Sequence, residues 1–355
     1  MNQGDFVNNP HVFAFLDWMQ TEHWRERLQP VGVASLPPNV VQPFLPRLPR
    51  LAVRLNLPRS RFVPVPVAGV ADFCDLPWLY VWKAAGMQCG DLSEAMTWLA
   101  RFAATLDSAV AASSRANALA VCTAVLGWGG ERNRAHGARP FLQGLGAQLI
   151  PHLQQHRQLM TLAGAVLDSH GDLPGVPHMN SMLSKVYSVL CNDGLPIYDS
   201  RVAGAIATLV ETWRIERGLE LTPIPAALRF PCVPPNKARR VHARYPGAAD
   251  PGALSYGHPD TPKRWAGAAV RLGWLLQLMA GSQAGLQVTR TIEAALFMAG
   301  HDCEGINWSP VPGARVPRDT LHMLFGSDSG AVRADLSAMY PGHPWVARLQ
   351  QKGGL

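Results

Sequence analysis

Two residues stand out for the chemistry they could do: Lys185 and Asp199, fourteen positions apart in the segment Leu173–Val202, LPGVPHMNSMLSKVYSVLCNDGLPIYDSRV. Lys185 sits among Met182, Leu183, Val186, Tyr187, Val189 and Leu190. An ammonium in so apolar a stretch is costly unless it is paired or opens into a cleft. Desolvation lowers the pKa of a buried lysine and makes its amine a better nucleophile. Two structural roles compete with this. The head of Lys185 reaches solvent from an amphipathic helix, or it is the ion partner of Asp199 or Asp193. Asp199 begins a helical run, where its carboxylate can accept from the free N–H groups of the first turn. A helix N-terminus also favours the ionised acid, so capping alone accounts for an Asp at this position. If helix and loop fold back, amine and carboxylate meet. The carboxylate could then carry a proton and stabilise a developing cation.

The elements that must position this pair read as helices. Asp91 caps a run with Leu92, Met96, Leu99 and Phe102 at helical spacing. A second helix starts near Ser113 and stops at Trp128-Gly129-Gly130, where paired glycines release the chain. Helical stretches are expected near Pro140–Leu149 and Leu153–Asp168, then a turn at Leu173–Pro177, a helix over Asn180–Cys191, and another from Asp199. A last helical region runs from Thr261 to about His301.

Composition agrees with a folded chain. Of 355 residues, 48% are hydrophobic and only 16% charged, the reverse of a disordered protein. No apolar run approaches the roughly 20 residues that span a bilayer, and the N-terminus lacks a secretory pattern. A cytoplasmic location with no membrane partner is therefore expected. The six cysteines form no CxxC pair, so they read as reduced, mostly buried thiols, with no zinc site. No metal or other cofactor is indicated, and there is no phosphate loop, GxSxG or HExxH.

The formal net charge of +7 suits a polyanionic partner. The positive charge is concentrated in two places. Between Arg27 and Ala71 there are six arginines, Arg27 included, several prolines and no acid. This stretch is either a solvated arm on the core or an arm contacting a nucleic-acid backbone. The second run holds Lys237, Arg239, Arg240 and Arg244 beside Tyr245, a plausible DNA-backbone contact whose default reading is a solvated face. Four regions follow: a less regular or mixed N-terminal lobe (1–90), a helical core (91–218), a basic proline-rich connection (219–260), and C-terminal helices completing the core (261–355).

The segment Leu173–Val202 resembles the active-site region of the helix-hairpin-helix DNA glycosylase superfamily, nearest to its 8-oxoguanine-glycosylase-like branch. Leu173-Pro174-Gly175-Val176 is similar to the family hairpin, and Pro196-Ile197-Tyr198-Asp199 to the loop that delivers its essential Asp. The match covers about thirty residues. Weaker likenesses to bacterial proteins of this branch lie at Trp128–Arg132 and Ile292–Met298, and the N-terminal region shows none. Two departures stand out. Pro177 replaces the second hairpin glycine and removes a backbone N–H. The usual post-hairpin lysine is also missing, and the nearest lysine is Lys185, an arrangement similar to that of some archaeal members.

The resemblance implies a mainly α fold with a glycosylase-like helical core. It implies Asp199 and Lys185 as catalytic residues, Gly175 and Arg201 as DNA contacts, and a base pocket drawn from Trp128, Tyr187 and Tyr198, with Trp213 and Trp265 also available. Core packing is the commoner role for each aromatic, and Arg201 could hold a phosphate or orient a carboxylate. The activity implied is excision of a damaged or modified base, an oxidised purine being one candidate, from duplex DNA with the nucleotide flipped out. Schiff-base lyase activity would follow if Lys185 is the nucleophile. Nucleoid association and a role in phage defence are further implications. The alternative is a non-enzymatic DNA- or partner-binding protein that keeps the fold. A nuclease is disfavoured, because no acidic cluster offers a metal site.

Overall fold

The computed structural model describes residues 1–20, 52–64, 66–131, 137–219, 222–232, 259–281, 285–301 and 303. The described chain is mainly helical. Helices α1 (Gln3–Val7) and α2 (Pro10–Gln20) precede a two-stranded antiparallel sheet, β1 (Ala52–Leu57) and β2 (Val67–Asp72), paired in register Ala52–Asp72 to Leu57–Val67. A 3₁₀ segment, Phe73–Leu79, leads towards α3 (Leu92–Ala111) and α4 (Arg115–Trp128). Then come α5 (Ala138–Gly144), α6 (Leu149–Met160), α7 (Ser181–Cys191) and α8 (Ser200–Glu216). The last two are α9 (Thr261–Ala280) and α10 (Leu286–Ala299).

Local chemistry sets the starts. Asn2 and Asp5 form a reciprocal capping box on α1. Asp91 accepts from the Glu94 N–H at the start of α3, while the Glu94 carboxylate accepts from the N–H groups of Gln88, Cys89 and Gly90. Asn180 caps α7 through Met182 and Leu183. Differences from the expected elements have local causes. The helix expected to Asp168 stops at Met160, because Thr161 takes up an extended ψ of 126°. The stretch from Pro140 divides into α5 and a 3₁₀ turn at Gly146–Gln148. The C-terminal region is two helices, with α9 ending at Gly281, φ 62°.

One apolar cluster runs from Phe6 to Ala299. α9 is its axis, with Trp265 and Trp274 fully buried. Both indoles donate to backbone outside the helix, Trp274 to Leu162 O at 2.8 Å and Trp265 to Tyr198 O at 2.6 Å. The first two helices pack with the C-terminal half of the chain. Phe6 meets Trp274 at 5.4 Å and Phe15 meets Trp213 at 5.7 Å. Burying each such phenylalanine contributes about 1.5–3 kcal/mol. Among the described residues no helix is long and apolar enough to cross a membrane. Cys89, Cys122, Cys191, Cys232 and Cys303 are free thiols.

Candidate functional site

The loop between α7 and α8 is held on three sides. The Tyr198 N–H donates to Ser184 Oγ at 2.7 Å, and Ser188 Oγ donates to Leu195 O at 2.8 Å, joining the loop to α7. The Tyr198 hydroxyl donates to Pro231 O at 2.8 Å, and Trp265 donates to Tyr198 O. Held in this way, Asp199 caps α8: its Oδ1 accepts from the N–H groups of Arg201 at 2.8 Å and Val202 at 3.1 Å. Its Oδ2 faces Lys185 Nζ at 3.7 Å and Arg201 at 3.8 Å. The capping and pairing roles thus coexist on separate oxygens. Asp193, the other acid considered for Lys185, instead accepts from the Leu162 and Leu195 N–H groups.

Lys185 and Asp199 are almost inaccessible, at 5% and 4%. Burial alone would push the Asp199 carboxyl up. Lys185, Arg201 and the two helix-start N–H groups outweigh it and hold the carboxyl below the usual Asp value. The site therefore keeps a buried carboxylate ionised beside an amine.

Lys185 reaches Asp199 by crossing the end of α4. At Gly129 the backbone is ordinary helix, φ −70° and ψ −6°, so glycine is not required there for its conformation. It is required for space: a Cβ would fall 2.3 Å from Lys185 Cδ and 2.9 Å from Cε. Gly130 does need its freedom, at φ 83°, and packs against the Phe62 ring.

Both residues line a cavity of about 720 Å³. One wall is aromatic. Phe62 and Trp82 stack at 4.0 Å with 9° between planes, and Phe297 stands edge-on to Trp82 at 5.8 Å. Trp82 Nε1 donates to Trp128 O at 2.8 Å, tying this wall to the end of α4. The Arg201 guanidinium lies 5.6 Å from the Trp82 ring and 5.1 Å from the Phe297 ring, a cation–π arrangement that fixes it beside Asp199. Tyr80, Arg290 and Glu293 add polar groups to the lining. Burial raises the Glu293 carboxyl above an ordinary Glu, with Arg290 and the Ile197 N–H lowering it in part. Burial also drives the Tyr80 hydroxyl well above its usual range, and the carboxylates of Glu293 and Asp199 add to this. Among the described residues no group of three or more His, Cys, Asp or Glu could hold a metal ion.

The expected site residues fall into three groups. Lys185, Asp199, Arg201 and Trp128 meet at the cavity. Tyr187 and Tyr198 do not line it, which corrects their assignment to a base pocket. Tyr187 is fully buried against His156, its hydroxyl 2.9 Å from His152 Nε2, and Tyr198 is fully buried as the anchor of the Asp loop. Trp213 and Trp265 are core residues as well. Gly175 is an exposed turn residue at φ 82° and is not among the residues that line the cavity. Lys237, Arg239, Arg240 and Arg244 lie outside the described residues. Sequence reasoning missed Phe62, Tyr80, Trp82, Arg290, Glu293 and Phe297. For Arg290 and Glu293 there was a signal, two opposite charges three apart in an otherwise apolar helix. The N-terminal aromatics had none.

No family model, curated protein or solved structure matches this chain.

Proposed function

We propose that this protein is a DNA glycosylase that excises a damaged or modified base through Lys185 and Asp199. The observation that carries the reading is the 3.7 Å approach of Lys185 Nζ to an ionised, buried Asp199 on the wall of a cavity of about 720 Å³. A space of that size accommodates a whole nucleotide, since pockets for ligands of drug size span about 300–1,000 Å³. A base turned out of the duplex would be received against the aromatic wall.

In the reaction, the Lys185 ammonium first gives up a proton to solvent, and the neutral amine then attacks C1′ of the sugar. The C1′–N bond breaks and its electron pair leaves with the base, which takes up a proton from solvent. The proton shed by the new C1′ ammonium passes to Asp199, whose charge also stabilises the cationic sugar. Asp199 returns that proton to O4′ as the ring opens to a Schiff base between Lys185 and C1′, and transfer of a C2′ proton to the freed carboxylate expels the 3′ phosphate with the C3′–O electron pair and cleaves the strand. Arg201, fixed over the two rings, orients Asp199 and faces the entering phosphates.

The test is excision and borohydride trapping on duplex oligonucleotides, each carrying one modified base or an abasic site. Base release supports the reading. Tight, salt-sensitive DNA binding with no release from any substrate would replace it with a non-enzymatic DNA-binding protein on the same fold.

A further inference from the structure

Residues that line the cavity and are also exposed to solvent mark its opening, Pro58 and Ser60 among them. Arg59 and Arg61 alternate with these two, and both are exposed. The segment that carries them is a closed turn. The Ser60 N–H donates to Val63 O at 2.8 Å, and the Val63 N–H donates to Ser60 O at 3.2 Å. Ser60 Oγ accepts from the N–H groups of Phe62 at 3.2 Å and Val63 at 3.1 Å. The Arg61 guanidinium lies over the Phe62 ring, its Cζ 4.4 Å from the centroid. Phe62 is itself fixed, stacked on Trp82 and packed against Gly130. An exposed cation is thereby tied to the aromatic wall of the cavity. Among the described residues no carboxylate pairs with Arg59 or Arg61.

We infer that the Pro58–Val63 turn is a phosphate-binding edge of the cavity, where Arg59 and Arg61 hold the backbone of the DNA strand whose nucleotide enters. This rests on the functional reading above and names the surface through which the cavity meets its substrate. A nucleotide that enters stays linked to a phosphate on each side. Those charges are too costly to bury against an aromatic wall, so they remain at the opening, where a cation is needed. Arg61 suits that role in its geometry as well as its charge. Stacking occupies the face of the guanidinium and leaves its in-plane N–H groups to meet a phosphate through two parallel bonds. A merely solvated surface requires charge without order, and a loose arginine keeps its rotamer freedom. Here a hydrogen-bonded turn and a fixed ring hold the charge beside the opening.

The experiment separates position from net charge. The probe is a duplex oligonucleotide carrying one tetrahydrofuran abasic-site analogue, titrated by fluorescence anisotropy at several salt concentrations. Arg59→Gln/Arg61→Gln should lower the slope of log affinity against log salt by about two, one for each phosphate no longer neutralised. At about 0.1 M salt that is a loss on the order of 50-fold in affinity. Arg61→Lys keeps the charge and should keep the slope, while binding weakens because the planar fork is gone. Arg101→Gln/Arg115→Gln removes the same charge from exposed positions on α3 and α4 that do not line the cavity, and should leave the slope at its wild-type value. Thermal melts check that each variant is folded. An unchanged slope in the Arg59/Arg61 double variant overturns the inference. So does an equal fall in the Arg101/Arg115 variant, which would make the effect one of net charge. Wild-type protein that binds this DNA yet releases no base from any substrate fails the glycosylase reading instead, and the slope still decides this one.

Discussion

Gly129→Ala is the smallest change that should disconnect the proposed lysine from its acid. The added Cβ would sit 2.3 Å from Lys185 Cδ and 2.9 Å from Cε. Carbon atoms rest at about 3.5–4.0 Å, so the lysine chain must move by more than 1 Å. It has little room to do so, since the residue is 5% exposed and its Nζ is engaged with Ser181 O at 3.2 Å and with Asp199. Displacement of that size costs about 100-fold in a positioned reaction. The backbone tolerates alanine, and helix propensity favours it by up to about 1 kcal/mol. Overpacking costs about 1–3 kcal/mol, so the net loss of stability should be no more than about 3 kcal/mol. Gly127→Ala is the matched control, because a Cβ there meets nothing within 4 Å. The assay is single-turnover borohydride trapping on abasic-site DNA, with thermal melts of all three proteins. Gly129→Ala should be folded and slow, and Gly127→Ala indistinguishable from wild type. Wild-type trapping by Gly129→Ala, or equal impairment of both variants, would refute the reasoning.

Other outcomes follow from the same geometry. Asp199→Asn keeps an oxygen for the Arg201 and Val202 N–H groups, so circular dichroism should show the helices intact while base excision falls by about 100-fold or more. Because the Asp199 carboxyl is held below its ordinary value, its contribution to stability is full above about pH 4. That contribution is lost as pH falls through the folded value, so denaturant melts of Asp199→Asn should be flatter with pH in that acid range. The His152 ring is pushed down to about 4 by burial and by His156 and His178. The unfolded chain therefore binds the extra proton between about pH 6.5 and 4, and stability falls as pH drops through that window. Glutamine at His152 should remove a pH-dependent contribution on the order of 1–3 kcal/mol, read as the difference between melts at about pH 7.5 and 4.5. Neutralising Arg239, Arg240 and Arg244 together should reduce the slope of log affinity against log salt by about one for each phosphate these arginines neutralise, measured by DNA titration at several salt concentrations. An unchanged slope would move the DNA-backbone interaction to the Arg47–Arg61 arm.

What was legible in the sequence was local. Asp91 and Asp199 announced helix starts by residue type alone, and each caps its helix through its own carboxylate. The pairing of Lys185 with Asp199 was one of the alternatives the sequence left open, beside Asp193 or a solvent-facing head, and the fold brings Lys185 to Asp199. The aromatic wall was not legible. Phe62 and Trp82 come together through a chain reversal closed by the Lys83 N–H to Phe62 O bond at 2.8 Å, and no periodicity in the sequence encodes that return. Tyr187 and Tyr198 misled for the converse reason. Proximity to the motif suggested a pocket, but helical geometry turns Tyr187 towards α6, and the Asp loop uses Tyr198 as its anchor. The end of α6 at Met160 was hidden by Leu162, Ala165 and Leu167, which keep an apolar rhythm while packing from a non-helical connection.

Whether Lys185 acts on a sugar carbon with Asp199 beside it is tested most directly by borohydride reduction of the protein with abasic-site DNA, followed by peptide mapping of the adduct. One adduct is expected, on Lys185, and none in a folded Lys185→Gln protein. An adduct on another lysine, or base excision that persists in Lys185→Gln, would contradict the proposed chemistry.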